Sequence, residues 1–276
     1  MPQQACVFCQ RDRTRVKITK EHVISQWVDE ILTADLLGPD RSFERIVVGV
    51  DGIAQTKVWP SEVVAAIEAP VVCGSQKAGD DGCNDGWMSE LDGQAKNILR
   101  PMMLGHTTTL SPGDQRIIAA WAAMKSMILE YAWGQGQVIV LPQAARTFVF
   151  REQRAPREMH VRIAAVESNG RPMLFPRRVY QLQPELARAG ALPQFISCST
   201  LVLGCFVVQT LGSSAVGSAA PARPPGRDYL AINPPSGTDL TWPPAEVFDD
   251  AGLDRFADPW RTETPPDDTA FRSEAR

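Results

Sequence analysis

Apolar positions along this chain change period several times, and each change marks an element. Val16-Lys17-Ile18-Thr19 alternates and predicts a strand, after which Trp27, Val28, Ile31 and Leu32 recur at helical spacing. Residues 43–50 and 53–59 read as two further strands, joined at Asp51-Gly52, where both positions tolerate positive φ. Residues 61–68 follow Pro60 as a short helix. From Asn84 to Leu99 the apolar face is Trp87, Met88, Leu91 and Ile98, and Pro101 predicts its end. Ser111-Pro112-Gly113-Asp114 supplies a cap, a proline in the first turn and a carboxylate three residues after the cap. Ile117, Trp121, Met124, Ile128 and Tyr131 then lie along one stripe. That pattern predicts a long helix running to Gly134 with one face in the core.

Beyond residue 136 the pattern shifts toward strands. A short helix starts at Pro142, and Met159 to Val166 alternates polar and apolar. Asn169-Gly170 turns the chain toward Met173-Leu174-Phe175, and Phe195 to Thr210 predicts one long or two short buried strands. Residues 212–227 have the Ser, Ala, Gly and Pro content of a flexible loop, and Tyr229 to Ile232 is a short strand. The fold class is α+β. Expected units are residues 1–110, a core helix over 111–135, a β-rich domain over 136–260 and a disordered tail over 261–276.

Composition narrows the function classes. The net charge of −4 gives the molecule no overall field for nucleic acid, but Arg11, Arg13, Arg15, Lys17 and Lys20 stand together against Asp12 alone. That stretch suits either a solvated loop or phosphate contacts. No secretion signal is visible at Met1 to Cys6. The apolar run Phe195 to Leu211 is interrupted by Ser197, Ser199, Thr200, Gly204 and Gln209, too polar for a membrane span. A cytoplasmic location is expected, where six cysteines favour metal binding or burial over disulfides.

The chemistry gathers near the start. Cys6-x-x-Cys9 has the spacing of a zinc knuckle. Cys73 and Cys83 form its prospective partner pair, separated by a glycine-rich stretch long enough to fold back. The alternative for Cys73 is a small apolar residue ending a buried strand. Between the pairs stands Glu21-His22, an imidazole suited to activating water beside a carboxylate suited to a magnesium-like ion. The two can serve one site only if the backbone turns there, because neighbours on a strand point to opposite faces. Asn84 either offers its amide oxygen to that cation or caps the helix that follows. Asp80 and Asp81 are a weaker pair of cation ligands. His106 reads as a loop residue and His160 as the polar side of a strand. Cys198 and Cys205 read as buried thiols.

Cys6-x-x-Cys9, Thr19-Lys20-Glu21-His22-Val23-Ile24 and Cys83-Asn84-Asp85-Gly86-Trp87-Met88 together resemble the HNH endonucleases, in particular their zinc-knuckle members. The resemblance covers residues 5–135. It implies a ββα-metal motif, here with an inserted hairpin, and a structural Zn2+ on Cys6, Cys9, Cys73 and Cys83. It makes His22 the general base and Glu21 and Asn84 ligands of a catalytic Mg2+ or similar divalent cation. The partner it implies is nucleic acid, DNA by preference. The chain departs from the family pattern at three points. Ser25 replaces the usual proline, the second thiol pair is stretched, and no asparagine answers to the middle residue that fixes the backbone around the base. A zinc-stabilised binding module without catalysis is the second function class.

Overall fold

The computed structural model describes residues 5–32, 42–48, 54–60, 68–75, 82–132, 139–167, 173–174, 177–182, 194–215 and 228–258. Readings that fall on Asp51-Gly52, residues 61–67, Asp80, Asp81, Gly134, Asn169-Gly170, Phe175, 216–227 and 261–276 lie outside them.

In chain order the elements are β1 (Lys17–His22), α1 (Gln26–Leu32), β2 (Ser42–Val48), β3 (Ala54–Pro60), β4 (Glu68–Gly74), a π-helical turn (Asn84–Met88), α2 (Ser89–Met103), β5 (Thr108–Leu110), α3 (Pro112–Ala132), α4 (Gln143–Glu152), β6 (His160–Ala165), β7 (Met173–Leu174), β8 (Arg178–Leu182), β9 (Gln194–Leu203), β10 (Phe206–Ser213), β11 (Leu230–Asn233), β12 (Leu240–Trp242) and α5 (Asp250–Ala257). Helix and sheet are mixed, as the periodicity predicts. The C-terminal sheet runs β11-β6-β10-β9-β7, with β8 also on β9, and every described pairing in it is antiparallel. The run from Phe195 resolves into two strands. Leu203 pairs with Phe206, and Gly204 takes φ +61 in the two-residue connection. No helix among the described residues is long and apolar enough to cross a membrane.

Helix α3 begins as its sequence demands. The Ser111 N–H and hydroxyl both donate to Asp114 Oδ2, at 2.9 and 2.6 Å, and Asp114 N–H returns a bond to Ser111 Oγ at 3.2 Å. The single buried stripe is a correction: every residue from Ile118 to Glu130 is buried. A helix enclosed on all sides needs cover on all sides, and α3 packs against α2, β4, α4, β10 and β11. One continuous apolar cluster therefore runs from Cys6 through Trp121 to Trp242. β5 pairs with β12, which brings the C-terminal segment back beside the start of α3.

Pro101 does not end α2, which continues to Met103. A proline in the last turn removes one N–H, whereas Met102 and Met103 beyond it are fully buried and anchor that turn. β6 is buried on both faces after His160 and does not alternate, because Val161 and Ile163 face the main core while Ala164 packs with Phe248 and Phe256. Cys198 is buried as expected, but Cys205 lies in the β9–β10 turn and is only half-buried.

Candidate metal cage and adjoining pocket

Four sulfurs come together from three places in the chain. Cys6 and Cys9 flank a turn closed by Gln10 N–H to Cys6 O at 3.0 Å, with Gln10 at φ +60. Val7 N–H bonds Val71 O at 3.0 Å and docks that turn on β4. Cys73 sits near the end of β4 and Cys83 directly before the π-helical turn. The return of the chain between them is set by Gly82. A Cβ there would lie 2.2 Å from the Gly74 carbonyl carbon, so only glycine permits this approach. Asp85 fastens the same return by accepting from Ser75 N–H at 2.6 Å.

Cys6 Sγ lies 3.7 Å from Cys83 Sγ, Cys9 Sγ lies 3.6 Å from Cys73 Sγ, and all four sulfurs are within 4.8 Å of one another. These separations are far beyond a disulfide bond of about 2.05 Å. They match the edge of a tetrahedron with arms of about 2.3 Å, about 3.8 Å. The four thiols can thus hold a metal ion such as zinc, and soft donors in this geometry suit it. Hydrogen bonding, from the Cys6 thiol first and Cys83 second, lowers Cys73 to about 6. The Cys6 thiol also does most to hold Cys9 far below the usual thiol range. Arg11 Nε donates to Cys9 Sγ and Arg11 Nη2 to Cys73 Sγ, each at 3.4 Å, and Cys83 N–H reaches Cys73 Sγ at 3.3 Å. One member of the basic stretch therefore serves the sulfurs.

Beside the cage opens a pocket of about 580 Å³ whose lining includes Glu21, His22 and Asn84. The strand register just ahead of Glu21-His22 is irregular. Thr19 faces Val72 but Glu21 faces Ala69, so two steps on β1 oppose three on β4. The extra residue falls beside Pro70, which cannot donate to a ladder and suits a bulge. After this irregularity Glu21 is buried and His22 half-buried. His22 Nε2 lies 3.0 Å from Gln26 Nε2 and 3.7 Å from Glu68 Oε1, on the strand residue directly opposite. Glu68 also pairs with Lys20 at 2.9 Å.

Glu21 is not open on both oxygens. Its Oε1 accepts from Lys125 Nζ on α3 at 2.9 Å, and the same ammonium donates to His22 O at 3.1 Å and Asp92 Oδ2 at 3.4 Å. Burial alone would pull the Lys125 pKa down, but the Asp92 and Glu21 carboxylates outweigh it and leave the pKa raised. Asp92 Oδ1 further accepts from Ser25 Oγ and Trp121 Nε1, each at 2.7 Å. Asn84 does not cap its turn, since Cys83 holds the cap position and makes no side-chain cap bond. Asn84 Nδ2 instead donates to Thr19 Oγ1 at 3.3 Å, tying the turn to β1. Glu21 Oε2 and Asn84 Oδ1 have no hydrogen-bond partner among the described residues, and both side chains line the pocket.

The residues that sequence reasoning missed are Glu68, Asp92 and Lys125, and for Arg11 it missed the contact with the sulfurs. For Lys125 a signal existed: a lysine amid an apolar helix, Met124-Lys125-Ser126-Met127, where a charge needs a partner. No family model, curated protein or solved structure matches the chain.

Proposed function

We propose that the protein is a metal-dependent endonuclease that hydrolyses phosphodiester bonds in DNA, with His22 as general base. The observation that carries this reading is the shared pocket. A carboxylate and an imidazole from β1 and a carboxamide from the π-helical turn line one open cavity beside a four-thiol cage. The elements around it support the reading too: β1 pairs antiparallel with β4, which follows α1 and the β2–β3 pair in the chain, and the π-helical turn and α2 come next.

On this reading, Cys6, Cys9, Cys73 and Cys83 hold a structural zinc that pins the knuckle to β4 and the π-helical turn. Glu21 and Asn84 would hold the magnesium-like cation, whose chemistry is to neutralise the phosphate and stabilise the departing oxygen. His22 takes the proton of the attacking water, a task suited to an imidazole near neutral pH. Gln26 and Glu68 orient its ring. Lys20 and Lys96 line the pocket, each paired with a carboxylate, Glu68 and Glu30, from which a sugar-phosphate strand would draw them.

The test is nicking of supercoiled plasmid in Mg2+ or Mn2+. His22→Ala is expected to abolish it while zinc content and melting temperature stay at wild-type values. A variant that unfolds marks a structural histidine instead. The second reading, a zinc-stabilised binding module without catalysis, draws on Lys125 already holding Glu21 Oε1. It gains if the wild type binds DNA and never nicks it.

A further inference from the structure

We propose that Lys125 is a positioning residue for His22, an inference that rests on the nuclease reading. An ammonium group has three N–H bonds to satisfy. Lys125 has a side chain 3% exposed, and its Nζ meets three oxygens: Glu21 Oε1, Asp92 Oδ2 and the main-chain oxygen of His22. A lysine needed only to balance two carboxylates, Glu21 buried and Asp92 half-buried, does not require the third oxygen. The bond to His22 O fixes the backbone of the base itself, at the last residue of β1.

The next turn of chain is fixed from the same place. Asp92, held by Lys125, accepts from the Ser25 hydroxyl directly ahead of α1. The segment from His22 to Ser25 leads from β1 into α1 and is held at both ends, by Lys125 at His22 O and through Asp92 at Ser25 Oγ. The His22 ring is met separately, by Gln26 and Glu68. Its anchor rises from α3, buried at every residue from Ile118 to Glu130, and a rigid element is what positioning to a fraction of an ångström requires.

Full-length, zinc-loaded Lys125→Met is expected to lower kcat for Mg2+-dependent plasmid nicking by about 100-fold, the cost of displacing a reacting group by about 1 Å. KM should stay within about threefold, because substrate contacts are untouched. Asp92→Asn leaves the Glu21 and His22 contacts in place and is expected to lose about tenfold or less. Equal kcat losses in the two variants, or losses that only follow the folded fraction, overturn the inference. If Lys125→Met does not fold, Lys125→Arg keeps the charge balance but not the three-way geometry, and is expected to lose about tenfold or more. Wild-type kcat in Lys125→Arg overturns it. A wild type that nicks no DNA defeats the nuclease reading, and the inference is then decided by proton NMR on a chain with three histidines. The His22 ring signal must shift or broaden in the lysine variant while those of His106 and His160 stay. An unmoved His22 signal overturns the inference.

Discussion

In the C-terminal sheet, register is kept by long antiparallel ladders, eight residue pairs between β9 and β10 alone, with apolar clusters on both faces of β6. The segment from Cys6 to Met103 places its chemistry on a short strand pair, β1 with β4, and a seven-residue helix, α1. What it has instead are ties that leap along the chain: Cys6 to Cys83, Ser25 to Asp92, Glu21 to Lys125. The contrast teaches where precision comes from. Area burial is non-directional and sets a fold, whereas a site needs directional bonds between named atoms. On the side that carries Glu21-His22 such bonds meet at the pocket, whereas those of the C-terminal side, Gln209 to Thr200 and Asn233 to Met159 among them, hold strands and connections in place.

The largest effect is expected from disabling the four-thiol site. Cys6→Ser, or chelation of the wild type, is expected to cost the cage region several kcal/mol, since structural zinc sites return their binding energy as folding energy. Hydrogen exchange should show amides of 5–22 and 68–75 losing protection while β9 and β10 keep theirs. Equal loss in β9 and β10 would mean that the shared core makes the two regions one cooperative unit. Acid acts in the same direction as chelation, because all four sulfurs must shed protons to bind. Metal occupancy should therefore fall as pH falls, with Cys73, near 6, the thiol whose pKa lies in the accessible range.

A smaller effect probes the same cage from outside. Arg11 bonds two sulfurs through two nitrogens, and outer partners of metal ligands are typically worth about 10- to 100-fold in affinity. Arg11→Ala is expected to weaken zinc binding within that range, read by competition with a chromophoric chelator. Arg11→Lys keeps the charge but offers one nitrogen for two sulfurs, so it should recover only part of the loss. Full recovery with lysine would reduce the role of Arg11 to its charge.

Sequence patterns made one side of the comparison legible and only half of the other. Alternation and turn chemistry found β1, both strands of the β2–β3 hairpin and the β9–β10 pair, because those signals lie within a few residues. Cys-x-x-Cys and Glu21-His22 were legible for the same reason. What escaped detection depends on contacts between distant residues. Gly82 packs on Gly74 only once the loop has closed, and the bulge beside Pro70 exists only against β1. No asparagine near His22 holds its backbone, and the group that does is a lysine 103 positions further on. Pro101 misleads for the opposite reason: its local signal is outweighed by burial of Met102 and Met103.

The mildest prediction concerns the helix that both regions share. Ser111→Ala removes the hydroxyl that donates to Asp114 Oδ2 and accepts from Asp114 N–H, which costs about 1 kcal/mol at a helix start. Because α3 packs against β4 on one side and β10 and β11 on the other, the loss should appear as a small fall in the melting temperature of the whole chain. Zinc affinity should not change, since no bond of the cage passes through Ser111. If zinc affinity falls as well, the start of α3 and the cage are mechanically coupled. The directional ties of the N-terminal side would then extend about one helix length further than the hydrogen bonds trace them.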